Sequence, residues 1–187
     1  MTGLLIFGGI VLIVVIWYIS ADNRLVALKN NRENAFADID VQLKQRHDLI
    51  PQLVSAVKGY MDHEKEVLER VTAARVGAMN ASGINSKIAA EKELNSAMRA
   101  LNVQVEAYPD LKASQNFMHL QGEISDVENK LASVRRYFNS ATREFNTAIE
   151  SIPTNIVANM KGMIVQPFFE IGEDDRKTMD KAPEIKF

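Results

Sequence analysis

Apolar positions along this chain follow two different rules. From Leu4 to Ile19 they form an unbroken run, whereas beyond Ala21 they recur in steps of three and four among charged residues. The first rule predicts a transmembrane helix and the second a series of amphipathic helices, each burying one stripe. The run holds five Ile, three Leu, three Val and one Phe, which favour insertion by roughly 4 to 7 kcal/mol on a translocon-type scale. Extended from Gly3 to Ala21 it makes a helix of about 28 Å, close to the hydrocarbon thickness. Leu4, Ile10 and Val15 then lie in hydrocarbon, while Trp17, Tyr18 and Ile19 fall at the end where an aromatic belt sits. A cleaved signal peptide fits less well, because Met1-Thr2-Gly3 has no basic side chain and Ile19-Ser20-Ala21 is a poor cleavage site.

The strongest periodicity lies between Leu111 and Ile152. Phe117, Leu120, Ile124, Val127, Leu131, Val134, Phe138, Ala141, Phe145, Ala148 and Ile152 form a heptad seam, which predicts a helix about 63 Å long packed at coiled-coil angles. Upstream, one stripe from Leu25 through Phe36, Leu43, Leu53, Tyr60 and Val71 predicts a continuous helix over Asn23 to Ala78. Pro51 interrupts it, so either a kink over Arg46 to Ile50 or a fresh start capped by Asp48 is expected. Met79 to Asn85 reads as a loop, and a shorter helix carrying Ile88, Leu94, Met98, Leu101 and Val105 follows, ending at Tyr108-Pro109. Thr154 or Asn155 is positioned to cap a last short helix that stops at Gly162.

The fold expected is therefore all-α: an N-terminal transmembrane helix followed by an elongated antiparallel bundle of three to four long helices. Residues 1–21 form the anchor, 22–162 the bundle, and 163–187 an extended apolar segment with a mixed-charge tail.

Charge narrows the partners. The formal net charge is only −2 and the signs interleave, which argues against nucleic acid and leaves the lipid bilayer as the one partner read directly. Arg24, Lys29 and Arg32 follow the span and no charge precedes it, so the positive-inside bias places the bundle in the cytoplasm and the N-terminus outside. A bundle on the periplasmic or extracellular side is the alternative, and the absence of Cys fits both.

Candidate chemistry is sparse. His63-Glu64 lacks the second His four residues on that a zinc-peptidase helix needs, since position 67 is Val. His47 is sixteen residues before His63, about 160° round a straight helix. No Glu-x-x-His, Gly-x-Ser-x-Gly or phosphate-cradling glycine loop occurs, so no catalytic residue, metal or cofactor is expected. The polar run Asp38 to Asp48 admits two readings: local pairing of Asp40 with Lys44 and Gln42 with Arg46 on a solvated face, or a network that crosses helices. The first is the plainer.

These residues carry a resemblance. Ile39 to Val54 (IDVQLKQRHDLIPQLV), with Val57-Lys58-Gly59-Tyr60 and His63-Glu64, is similar to the signature of the LemA family. So are Tyr108-Pro109-Asp110-Leu111-Lys112-Ala113 and Arg135-Arg136-Tyr137-Phe138-Asn139. The chain departs from the family's usual pattern at Asp22-Asn23 and Ile152, which bears on packing at the membrane exit. The resemblance implies a single-pass bacterial membrane protein with a helical bundle, an outward N-terminus and no accepted catalytic residues. Asp40, Gln42, Arg46, Asp48, Pro51, Tyr60, His63, Glu64, Tyr108, Pro109 and Asp110 are accordingly candidate interaction residues. Family genes often neighbour those of membrane proteins, a zinc peptidase among them. The expected function is a non-catalytic scaffold or adaptor at the bacterial cytoplasmic membrane, a homo-oligomer because its seams are longer than their partners, with a possible membrane-protein partner. An accessory subunit of a membrane peptidase is the alternative.

Overall fold

The computed structural model describes residues 1–61 and 64–170, and among these all regular structure is helical. Six helices follow one another: α1 (Thr2–Lys58), α2 (Lys65–Asn80), α3 (Ile84–Val105), α4 (Pro109–Lys112), α5 (Gln115–Glu150) and α6 (Thr154–Met160). The all-α expectation holds. The described residues form two compact units, residues 1–38 with 134–168 and residues 39–133 with 169–170, so α1 and α5 contribute to both.

In the first unit, the opening of α1 follows the apolar rule. Leu4, Ile10, Val15 and Ile19 are exposed, and Trp17 and Tyr18 are half-buried. This helix is long and apolar enough to cross a membrane. From Ala21 onward a single stripe is buried: Ala21 and Leu25 pack with Phe145, Ala148 and Ile149 of α5 and Val157 and Ala158 of α6. Phe36 meets Phe138 edge to face with ring centroids 5.5 Å apart, a geometry that aligns ring edge with ring face. α6 ends where expected. Gly162 adopts φ +64°, and the Met163 and Gly162 N–H groups donate to the Ala158 and Asn159 carbonyls, a Schellman closure that needs glycine's left-handed backbone. Its start differs from expectation: Pro153 is the N-cap, and neither Thr154 nor Asn155 makes a capping bond.

The apolar segment after Gly162 is held by its backbone. Asn146 of α5 donates from Nδ2 to the Gln166 carbonyl at 2.9 Å and accepts from the Gln166 N–H at 2.8 Å, imitating a strand neighbour and satisfying both groups of an irregular stretch. Ile164 and Val165 nonetheless face outward. The mixed-charge tail lies outside the described residues.

In the second unit, Ile50, Leu53 and Val57 of α1 pack with Leu68 and Val71 of α2, Leu94 and Leu101 of α3, Leu111 of α4 and Phe117 and Leu120 of α5. Each such side chain contributes roughly 1.5 to 3 kcal/mol of burial. Here one of the two alternatives at Pro51 falls away, and one expectation fails. α1 runs through Pro51 without a fresh start, so Asp48 caps nothing. The single helix over Asn23 to Ala78 is instead two, because α1 stops at Lys58. Gly59, a poor helix former, follows directly, and the Tyr60 and Met61 N–H groups both turn back to the Val57 carbonyl. Between α2 and α3 the turn is shorter than Met79 to Asn85 and is carried by Gly83 at φ +83°.

The seam of α5 is buried from Phe117 to Ala148, with Ile124 and Val134 partly covered, but Ile152 lies beyond the helix and is exposed.

Candidate functional site

Proline's missing N–H shapes the polar centre of the second unit. In an α-helix the carbonyl of residue 47 accepts from the N–H of residue 51, and Pro51 has none to give. The freed His47 carbonyl is taken from outside the helix: Arg75 of α2 donates to it from Nε at 2.6 Å. Helix α1 therefore passes its proline with the orphaned acceptor satisfied by a neighbouring helix.

The side chains beside that carbonyl converge on one carboxylate. Glu91 of α3 is 1 % exposed, a position where a lone charge is costly. Arg46 donates from Nη1 to its Oε2 at 3.1 Å, and His47 Nε2 lies 2.6 Å from its Oε1. Arg46 also donates from Nη2 to Asn95 Oδ1 at 2.6 Å, one turn along α3 from Glu91. Its Nε stands 2.8 Å from Glu128 of α5 as an ion pair rather than an aligned hydrogen bond. Arg46 thus ties α1 to both α3 and α5 through charge-assisted contacts, the strong class of hydrogen bond.

Of the two readings of the polar run, the network crossing helices is the one the structure contains. Asp40 pairs with Lys87 of α3 at 2.5 Å instead of Lys44, and Gln42 is half-buried with its Oε1 unpaired instead of meeting Arg46. Asp48 and Pro51 are exposed, and the Asp48 carbonyl accepts from Gln52. A second, smaller group forms where α2 begins: Tyr108 donates to Glu64 Oε1 at 2.5 Å, while Glu64 Oε2 is buried without a partner. Pro109 opens α4, Asp110 is exposed in its first turn, and Tyr60 is exposed. His63 lies outside the described residues. The interaction candidates therefore divide between these two groups and the surface.

Chemically, a His against a carboxylate imitates the base and orienting pair of a hydrolase. Here the imidazole's Nε2 is taken by Glu91 and both groups are enclosed. Among the described residues no three His, Asp or Glu side chains come close enough to share a metal ion.

The network was readable in part. Arg46 stands on the seven-residue ladder of Leu25, Ile39 and Leu53, and Glu91 stands between Ile88 and Leu94 on the apolar phase of α3. A charged residue on the buried phase signals a buried partner. Arg75, Asn95 and Glu128 gave no such signal.

The LemA family model matches residues 35–187, which includes both polar groups. This chain belongs to the LemA family. Protein LemA of Metamycoplasma hominis is similar to it, with 29% identity over 166 residues, 88% of this chain and 76% of that relative. In this LemA-family chain the motif around Arg46, His47 and Pro51 forms an interhelix clasp.

The first unit buries its own cation differently. Arg32, 6 % exposed, donates from Nε to Thr142 Oγ1 at 3.2 Å and from Nη2 to the Pro167 carbonyl at 3.5 Å. Its guanidinium lies 4.9 Å from the Phe138 ring centroid, within cation–π range. Burial pushes its pKa below the ordinary value, and Glu33 partly offsets this.

Proposed function

We propose that this protein is a membrane-anchored, non-catalytic helical scaffold or adaptor, held by α1 at the bacterial cytoplasmic membrane with its N-terminus outside and its helical units in the cytoplasm. The observation that carries the reading is the change of rule along α1: residues 2–16 are apolar or Gly after Thr2 and exposed on every face, whereas from Ala21 only one stripe is buried. Water penalises the first arrangement and a bilayer rewards it. Arg24, Lys29 and Arg32 after the apolar stretch favour the cytoplasmic side. The absence of catalysis is argued from the polar centre, whose Arg46, His47 and Glu91 are engaged with one another and buried.

Self-association belongs to the proposal, on other grounds than seam length. The α5 seam is buried within one chain, so the surface available for a second copy or a membrane partner is the exposed apolar set, including Val26, Val41 and Val103. The mass of the full-length protein in detergent, measured by light scattering, tests this: a discrete multiple of the 20.9 kDa chain is expected, and a monomer would reduce the scaffold to an anchored bundle. For orientation, the chain has no Cys, so one introduced at exposed Lys44 is expected to resist an impermeant maleimide in intact cells and to react after lysis. Labelling in intact cells would place the helical units outside. The accessory-subunit reading predicts loss of a partner peptidase's activity on Glu64→Ala with folding intact.

A further inference from the structure

Where the apolar stretch of α1 gives way to its amphipathic part, the first unit contains a cavity of about 620 Å³ lined by Trp17, Arg24, Arg143, Thr147, Ser151 and Thr154. Its position and chemistry point the same way. Trp17 and Arg24 are seven residues apart and share a face of α1, about 10 Å along the axis, a distance an arginine side chain spans most of. Arg143 and Thr147 lie four residues apart on one face of α5, and Ser151 follows directly past its end. Neither arginine makes an ion pair or hydrogen bond among the described residues, although the nearby cations Lys29 and Lys161 are paired with Glu33 and Asp22. Two unpaired guanidinium groups and the hydroxyls of Thr147 and Thr154 on one cavity suit an anion with several acceptor oxygens, whereas the Ser151 hydroxyl already donates to the Thr147 carbonyl at 2.7 Å. Glu144 is the one acid in the lining, leaving a net positive site.

The surroundings are apolar in the way a lipid requires. Ile152, in the lining, is 85% exposed, and the next positions at four-residue spacing, Ile156 and Met160 of α6, are 55% and 71% exposed. Among the described residues these three side chains are left uncovered, while Trp17 ends the stretch suited to hydrocarbon. We propose that the cavity binds the phosphate-bearing headgroup of an anionic phospholipid, with the acyl chains running along the exposed apolar residues of α1. Such a collar would fix how α1 and the first unit meet the membrane surface. The proposal rests on the membrane-anchored reading above.

Trp17 is the only tryptophan, so its fluorescence reads the site directly. The full-length protein, reconstituted in phosphatidylcholine bilayers containing phosphatidylglycerol, is quenched with brominated acyl chains carried by one lipid or the other. Phosphatidylglycerol is expected to associate about fivefold more strongly than phosphatidylcholine, the order set by one cation close to an anionic surface. Arg24→Gln with Arg143→Gln should abolish the preference. Lys29→Gln, which removes a charge outside the lining, should leave it. Thr147→Val, which removes no charge, should weaken it and so separates a built site from general surface charge. Equal quenching by both lipids would overturn the proposal while leaving the anchor in place, and quenching by neither would overturn the anchor itself. Loss of the preference on adding inorganic phosphate at constant ionic strength would assign the site to a soluble phosphate instead of a lipid.

Discussion

Arg32 and Arg46 lie fourteen residues apart on one helix and one buried ladder, yet the two units enclose them by different physics. Arg46 meets Glu91, Asn95 and Glu128 from two other helices. Arg32 meets a hydroxyl, a carbonyl and an aromatic face, and no carboxylate bonds to it among the described residues. An arginine answered by a buried carboxylate creates a mutual dependence, since removing either partner strands the other charge. One answered by neutral groups strands only dipoles. The contrast separates a position that specifies how helices assemble from one that merely tolerates a cation, and it locates the specifying position in the family motif.

Glu91→Leu should give the largest effect, because it removes the buried anion that Arg46 and His47 share and leaves Arg46 only the partly exposed Glu128. A loss of about 3 to 5 kcal/mol is expected in denaturant unfolding of the full-length protein in detergent. Next comes Arg75→Leu, which strands the His47 carbonyl that Pro51 cannot serve and should cost about 1 to 3 kcal/mol. Arg32→Met should cost under about 1 kcal/mol, since an apolar side chain of similar length leaves no carboxylate behind. If it matched Glu91→Leu, the comparison would fail. Asp40→Asn should be smallest, a few tenths of a kcal/mol, because its ion pair with Lys87 is partly solvated. The same unfolding curves check each of these.

The helical class and the buried seam were legible because both follow from periodicity, which a sequence states outright. Lys58-Gly59 also carried the stop signal that ends α1, a basic last turn followed by glycine, but the apolar stripe continued past it in phase and concealed the turn. The role of Pro51 was less accessible. A proline announces a missing bond, whereas the donor that replaces it, Arg75, stands 28 positions away from His47 and is placed only by the reversal between α1 and α2. The plain reading of the Asp38 to Asp48 run failed for a related reason: spacing of i to i+4 identifies neighbours on one helix and is silent about a second helix laid across them.

The central claim is that the motif around Pro51 is an interhelix clasp, with the proline freeing a carbonyl that Arg75 takes. A double-mutant cycle of Pro51→Ala and Arg75→Leu tests it most directly. In the Pro51→Ala background the alanine supplies a backbone N–H to the His47 carbonyl, so Arg75→Leu should cost much less than it does beside Pro51, with a coupling of about 1 kcal/mol or more. Strictly additive effects would contradict the account and reduce the Arg75 contact to an incidental one.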